Sequence, residues 1–301
     1  MILRLALAMV LTLSLSQPAS AKTFAEIFGA RAYDDAQWQS FVEQLDYRQG
    51  RVALQQARIT LNIPNGFYFL AHDDSQRVLA AWGNPTTAKS RSLGMLFPAN
   101  TTPIDPDVWA AELLYDEAGY VADDKVGVID PSALLAAIRS ASQPDSALSD
   151  SEGYGPIEVV GWAAPPFYDK ANHRLYLAKA LRFGEAGAHT LNYTIYGLGR
   201  HGVLSINFIA EMAHLPSINA AIPAIASIAA FDKGAAYDEF LPYRDKYAPY
   251  ALDALMIGQT SRLPGNNTKP RGNYALWLGL IAGVLCIGGM LTLKILRDPD
   301  V

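Results

Sequence analysis

Cysteine is almost missing from this chain. Of 301 residues only Cys286 carries a thiol, and it lies inside an uncharged apolar run. The long segment ahead of that run therefore has no internal disulfide, no thiol nucleophile and no Cys-ligated zinc, and it must fold by packing alone. Positive charge is also scarce. Lys and Arg number 24 against 29 Asp and Glu, a net charge of −5, and no basic stripe is present. Nucleic acid, which is bound through phosphate neutralisation, is excluded as a partner. The chain contains no G-x-S-x-G elbow, no S-x-x-K, no Walker loop, no G-x-G-x-x-G and no H-E-x-x-H. No cofactor, metal ion or catalytic residue is expected from motifs.

Two apolar runs stand at the ends. Met1-Ile2-Leu3-Arg4 leads into a short Leu/Ala/Val run and then Ala19-Ser20-Ala21. A basic start, a short apolar stretch and an A-x-A site make a secretory signal over 1–21, with the mature chain beginning at Lys22. The second run, 274–293, has no charge. Twenty residues at ~1.5 Å each cover ~30 Å, the hydrocarbon thickness of a bilayer. Tyr274 and Trp277 mark one edge of it, and Lys294 and Arg297 lie beyond the other. Ala275, Gly279 and Gly283 repeat at a spacing of four and put small residues on one face, which suits close helix–helix packing and self-association. Equally, Gly is simply common in such helices. The expected organisation is a signal peptide (1–21), a periplasmic domain (22–258), a polar juxtamembrane linker (259–273), a transmembrane helix (274–293) and a cytoplasmic tail (294–301). The protein would be a single-pass component of the bacterial inner membrane with its N-terminal domain outside the cytoplasm.

The middle of the chain alternates as an α+β domain does. The spacing of Phe24, Ile27, Phe28, Trp38, Phe41, Val42 and Leu45 predicts a helix over 24–45. Asp74 is expected to cap a short helix, and Asp130-Pro131 to open another. The stretch 140–155, rich in Ser, Asp and Gly, reads as an exposed loop. The stretch 58–70 reads as extended, with a turn at Pro64-Asn65-Gly66, and strands are expected over 93–97, 108–115, 157–163, 174–183, 190–198 and 202–212. In the last of these Leu204, Ile206, Phe208 and Ala210 share one side, and Ile218, Ile222, Ile225 and Ile228 supply a helix to cover it. The fold class is thus α+β, an antiparallel sheet flanked by helices, with one C-terminal transmembrane helix.

Several ordered blocks carry a family resemblance: Ser92-Leu93-Gly94-Met95-Leu96-Phe97-Pro98, Tyr115-Asp116-Glu117-Ala118-Gly119-Tyr120-Val121, Val160 through Trp162-Ala163-Ala164-Pro165-Pro166-Phe167-Tyr168 to Asp169, and Leu191-Asn192-Tyr193 with Leu198-Gly199-Arg200. From about Gln37 to the apolar run, the chain resembles the bacterial domain of unknown function 2167, described as predicted membrane-anchored proteins. The resemblance implies a cell-envelope protein and brings no activity, cofactor or catalytic residue.

Two binding candidates stand out. Trp162, Phe167 and Tyr168 surround Pro165-Pro166, which makes either a recognition surface for peptide or glycan or a strand that stops at the prolines with its rings packed into the sheet. Arg200 and His201 fall at a hairpin tip, where exposure is expected. Asp116, Glu117, Asp123, Asp124 and Asp130 form an acidic run without the order of a calcium loop and read as a solvated face. The leading expectation is a non-enzymatic binding or scaffolding domain with an envelope protein or itself as partner. The alternative is a periplasmic hydrolase of cell-wall glycan or peptide.

Overall fold

The computed structural model describes residues 21–82, 92–124, 126–151, 156–184 and 189–258. The signal segment up to residue 20, the linker, the apolar run with Ala275, Gly279 and Gly283, and the tail lie outside the described residues. Among the described residues no helix is long and apolar enough to cross a membrane.

In chain order the elements are β1 (Ala21–Lys22), α1 (Phe24–Phe28), α2 (Ala36–Glu43), β2 (Tyr47–Arg48), β3 (Gly50–Leu54), β4 (Ile59–Ile63), β5 (Phe67–Ala71), α3 (His72–Ala81), β6 (Ser92–Pro98), β7 (Ala110–Asp116), α4 (Pro131–Ser151), β8 (Ile157–Asp169), β9 (Arg174–Phe183), β10 (His189–Leu198), β11 (Val203–Glu211), α5 (Leu215–Ile228), β12 (Ala229–Phe231) and α6 (Leu252–Met256). Nine strands form one antiparallel sheet in the order β1-β2-β5-β6-β7-β11-β10-β9-β8, and β12-β4-β3 form a second.

Period-two alternation decides what each face holds. Leu191, Tyr193 and Ile195 of β10 and Leu204, Ile206, Phe208 and Ala210 of β11 join Ile59 and Leu61 of β4 and Ile218, Ile225 and Ile228 of α5 in one core. The expected covering helix is there, continuous through Pro223. Burying each of these large side chains contributes about 1.5–3 kcal/mol. The opposite face of the large sheet is covered in pieces. α1, α2 and α3 pack on the β5–β6 end around Tyr47, Tyr68, Trp82 and Phe97. α6 and the segment before it pack on one end of β9–β10–β11. α4 packs on β8 and β9 through Ile138, Val159 and Leu181.

Gly94 of β6 shows why a bulge sits there. Its φ is +145°, and a Cβ at this position would lie 2.2 Å from the Phe69 ring and 2.3 Å from the Leu70 carbonyl oxygen. Only glycine lets the strand pass under that ring.

Four expectations need correction. The single helix over 24–45 is two, because Gly29 turns the chain at φ +65° and Asp35 starts a new helix, its Oδ1 accepting from the backbone N–H of Gln37 and Trp38. Asp74 does not cap α3; it lies in the first turn and accepts from the Asp46 N–H at 3.0 Å. The region 140–155 is not a loop through its length: α4 runs to Ser151, and the Arg139 guanidinium ties it to the carbonyls of Val159 and Val160 on β8. β8 does not stop at Pro165-Pro166. It is an edge strand, where a missing N–H is tolerated, and a register shift between Ala164 and Phe167 absorbs the prolines. Asp130 does open α4 as expected, its Oδ1 accepting from the N–H of Ser132 and Ala133.

Candidate functional site

The richest polar cluster lies where the β8–β9 turn meets the loop 118–130. The turn, Lys170 to His173, is shaped by Asp169, whose Oδ1 accepts from the N–H of Ala171 and Asn172. It ends with His173 at φ +50°, a left-handed conformation that costs energy for any residue with a Cβ. That conformation carries the imidazole across to the Asp123 carboxylate, Nδ1 to Oδ2 at 3.2 Å, while Nε2 faces Asp238 Oδ1 at 3.2 Å. Tyr168 donates to the same Asp123 oxygen. Asp123 is 8% exposed. Burial alone would push its carboxyl up, but hydrogen bonds from Tyr168, Tyr237 and His173 together hold it below the usual range. The expectation of a solvated acidic face fails here: Asp123 is the buried acceptor around which the turn and the loop are tied.

A column of rings continues from the imidazole. His173 stacks on Tyr237 at 4.0 Å, Tyr237 on Tyr120 at 4.4 Å and Tyr120 on Phe240 at 3.8 Å. The column binds the segment 232–258 to the loop. Backbone bonds reinforce it: Tyr120 N–H to the Lys246 carbonyl, Ala248 N–H to the Tyr120 carbonyl and Leu252 N–H to the Ala122 carbonyl. The chains cross closely at Gly119, where a Cβ would meet the Lys246 oxygen at 2.6 Å.

Arg200 belongs to this fastening, which corrects its expected role as an exposed tip. Its Nε and Nη2 donate to the two oxygens of Asp245 at 2.6 and 2.9 Å, and its Nη1 donates to the Gly234 carbonyl at 3.2 Å. The bidentate guanidinium holds the Asp245 carboxyl at about 2. His201 is half-buried and its carbonyl accepts from the Gly119 N–H.

The aromatic–proline stretch is divided rather than gathered. Trp162 Nε1 donates to the Pro131 carbonyl at 2.8 Å, and Tyr168 is spent on Asp123. Phe167 is 58% exposed, on the other side of β8, stacked on Tyr176. Pro165 is exposed and Pro166 half-buried. With the edge bulged, proline-bearing and tied to α4, strand addition by an extended peptide is opposed there.

Next to the Asp123 cluster the same loop forms one wall of a groove of about 390 Å³. Ala122 and Val126–Asp130 face Ala133, Leu134 and Ala137 of α4 and Leu252, Asp253 and Met256 at α6. The lining is apolar except for Asp130 and Asp253 at its rim, and Val128 stands fully exposed beside it. Volume and lining suit a small ligand or a few side chains of a partner. Two stretches far apart in sequence, 122–137 and 251–256, build it, so no local pattern announces it. Among the described residues no group of three or more metal-ligating side chains is close enough to hold a metal ion.

The family described as "Protein of unknown function (DUF2167)" matches residues 46–289. No curated protein matches the chain. Among solved structures, the solution structure of cyanobacterial PsbP (CyanoP) from Synechocystis sp. PCC 6803 is similar at 11% identity and a TM-score of 0.35, covering 60% of this chain and 91% of that one.

Proposed function

The chain belongs to the DUF2167 family of proteins of unknown function, and on that premise we propose that it is a membrane-tethered protein of the bacterial envelope whose exported domain binds a partner without catalysis. The groove carries this reading. It is apolar within and acidic at the rim, which matches an apolar side chain flanked by basic residues on a partner segment. Its position supports the tether: α6 lines the groove, and the described chain ends two residues later at Gly258. Fifteen mostly polar residues then lead to the uncharged run 274–293, which is long enough to span a bilayer. The signal at 1–21 would deliver the domain outside the cytoplasm. Removal of that signal leaves Lys22, whose ladder partner is Tyr47 and whose Nζ donates to Gln49.

The hydrolase reading has one observation in its favour, the His173–Asp123 pair. Both ring nitrogens of His173 face carboxylate oxygens at 3.2 Å. Neither is left to take a proton from water or a substrate hydroxyl, so the pair suits fastening better than general base catalysis.

The test is fluorescence anisotropy of the full chain in nanodiscs with a labelled peptide Lys-Leu-Leu-Phe-Lys and its counterpart Glu-Leu-Leu-Phe-Glu. The basic peptide is expected to bind at least about tenfold more tightly, a difference of ~1.4 kcal/mol, and Leu134→Lys to abolish its binding. Equal affinities, or indifference to Leu134→Lys, would remove the groove as the site.

A further inference from the structure

Exposed large apolar side chains are few among the described residues, and three of the five, Leu241, Tyr243 and Tyr247, fall in one turn. Single exposed apolar residues are ordinary, but three within one short turn form a patch. Tyr243 is fully exposed, and Pro242 beside it is exposed too. Basic residues rim the patch. Over 232–250 the exposed charged residues are Lys233, Arg244 and Lys246 against Asp238 alone, although the whole chain is net negative at −5. The acid inside the turn, Asp245, is neutralised by the two bonds from Arg200.

The turn is held in shape. Asp245 Oδ2 accepts from the Leu241 N–H at 2.6 Å, and the N–H groups of Arg244 and Asp245 both donate to the Leu241 carbonyl at 2.9 Å. Tyr247 meets Phe240 edge-on at 4.7 Å, and Phe240 stacks on Tyr120 at the end of the ring column. A turn fixed in this way presents its rings outward and loses little further freedom on contact. Its place in the fold matters as well. Ala248, Leu252, Leu255 and Met256 pack in one cluster with Leu198 and Val203, which flank the tip of the β10–β11 hairpin, and Arg200 of that tip holds the turn. The patch and the last helix before the apolar run therefore share one end of the sheet. The fifteen residues from Gly258 to the run 274–293 reach about 50 Å when fully extended, so that end stays close to the bilayer.

Rings with an apolar body and a polar tip, set beside Lys and Arg, suit the headgroup layer of a bilayer. We propose that the turn 241–247 rests on the anionic lipid surface around the membrane span. Leu241, Tyr243 and Tyr247 enter the headgroup layer, and Lys233, Arg244 and Lys246 meet lipid phosphates. This contact presupposes the membrane tether of the proposed function and is independent of the groove.

Electron paramagnetic resonance on the full chain in nanodiscs tests this. A nitroxide is placed at position 243 (Tyr243→Cys with Cys286→Ser) and, as reference, at position 40 (Ser40→Cys with Cys286→Ser), an exposed site on α2, which packs at the β5–β6 end of the sheet. In discs of equal parts phosphatidylcholine and phosphatidylglycerol, the label at 243 is expected to be shielded from a water-soluble nickel relaxant and the label at 40 open to it. Phosphatidylcholine alone, or Arg244→Glu with Lys246→Glu, should weaken the contact at least about fivefold, the weight of one basic residue near an anionic surface, and return the label at 243 to water. Both reversed side chains are exposed, so the fold persists, and an unchanged unfolding midpoint verifies that. A label at 243 as open to nickel as the one at 40, or shielding indifferent to anionic lipid and to the charge reversals, overturns the proposal and leaves the turn to a protein partner. A chain that fails to enter the discs overturns the tether together with it.

Discussion

The stability of the full chain is expected to pass through a minimum between pH 7 and 8, and two substitutions should each erase one side of it. Burial raises the Glu112 carboxyl from 4.5 to about 7, against a smaller opposing effect of the Ser92 hydroxyl. Between these values the unfolded chain has lost the proton and the folded chain still holds it. Stability therefore falls as pH rises through this window, by about 3 kcal/mol for a shift of this size. Lys179 acts in the opposite sense. Burial lowers its ammonium from 10.5 to about 8. Between 8 and 10.5 the unfolded chain holds the proton that the folded chain has released, so stability rises with pH. The recovery is about 2 kcal/mol, less than the shift alone implies because part of the side chain stays in contact with water. Glu112→Gln should flatten the limb below pH 7, and Lys179→Met the limb above pH 8. Unfolding midpoints of the three proteins across pH 4 to 11 measure both, and taking each variant against the wild type cancels other titrating groups. Parallel profiles for all three would mean that neither group is desolvated as described.

Asp123→Ala should be the most damaging single change near the groove, at about 3 kcal/mol. It strips the acceptor from Tyr168 and from His173 Nδ1, while Tyr237 keeps the Val121 carbonyl and His173 Nε2 keeps Asp238, and a buried donor left without a partner costs about 1–3 kcal/mol. The loop 118–130 should loosen with it, so binding of Lys-Leu-Leu-Phe-Lys should fall more than stability alone explains. Asp123→Asn keeps one acceptor oxygen and should lose less. The pH dependence has a definite sign. The folded carboxyl sits below its ordinary value of 3.8, so its contribution is complete above that value and is lost as pH falls through the folded one. An acid-unfolding limb present in the wild type and weaker in Asp123→Asn is the expected observation. Identical acid limbs would show that the carboxylate is not the fastening point.

The large sheet was readable because its alternation is strict. Leu204, Ile206, Phe208 and Ala210 turn to one core, and the isoleucines of α5 meet them there. On the other face Asn192, Thr194 and Asn207 are short, uncharged and buried, as suits a hydrogen-bonded row more than a wet surface. Helix and loop were confused at 140–155 because Ser and Asp favour turns locally, whereas the contacts of Leu134, Leu135 and Ile138 with β8 and β9 hold the helix that continues into that region.

The candidate site was mostly illegible for a different reason. Asp123 meets His173 fifty residues away, and Arg200 meets Asp245 forty-five residues away. No period or local spacing encodes such pairs; only closure of the fold brings them together. Trp162 and Tyr168 stand out in the sequence beside the double proline, and their polar atoms serve Pro131 and Asp123 within the fold. Only Phe167 of that trio is left mainly to solvent.

The central claim, that the groove beside α4 and α6 receives a partner, is tested most directly in living bacteria by a photo-crosslinking residue in place of Val128 of the full chain. A discrete protein adduct is expected on illumination, lost when Leu134→Lys fills the groove with charge. Illumination that yields no protein adduct, or an adduct indifferent to Leu134→Lys, would contradict it.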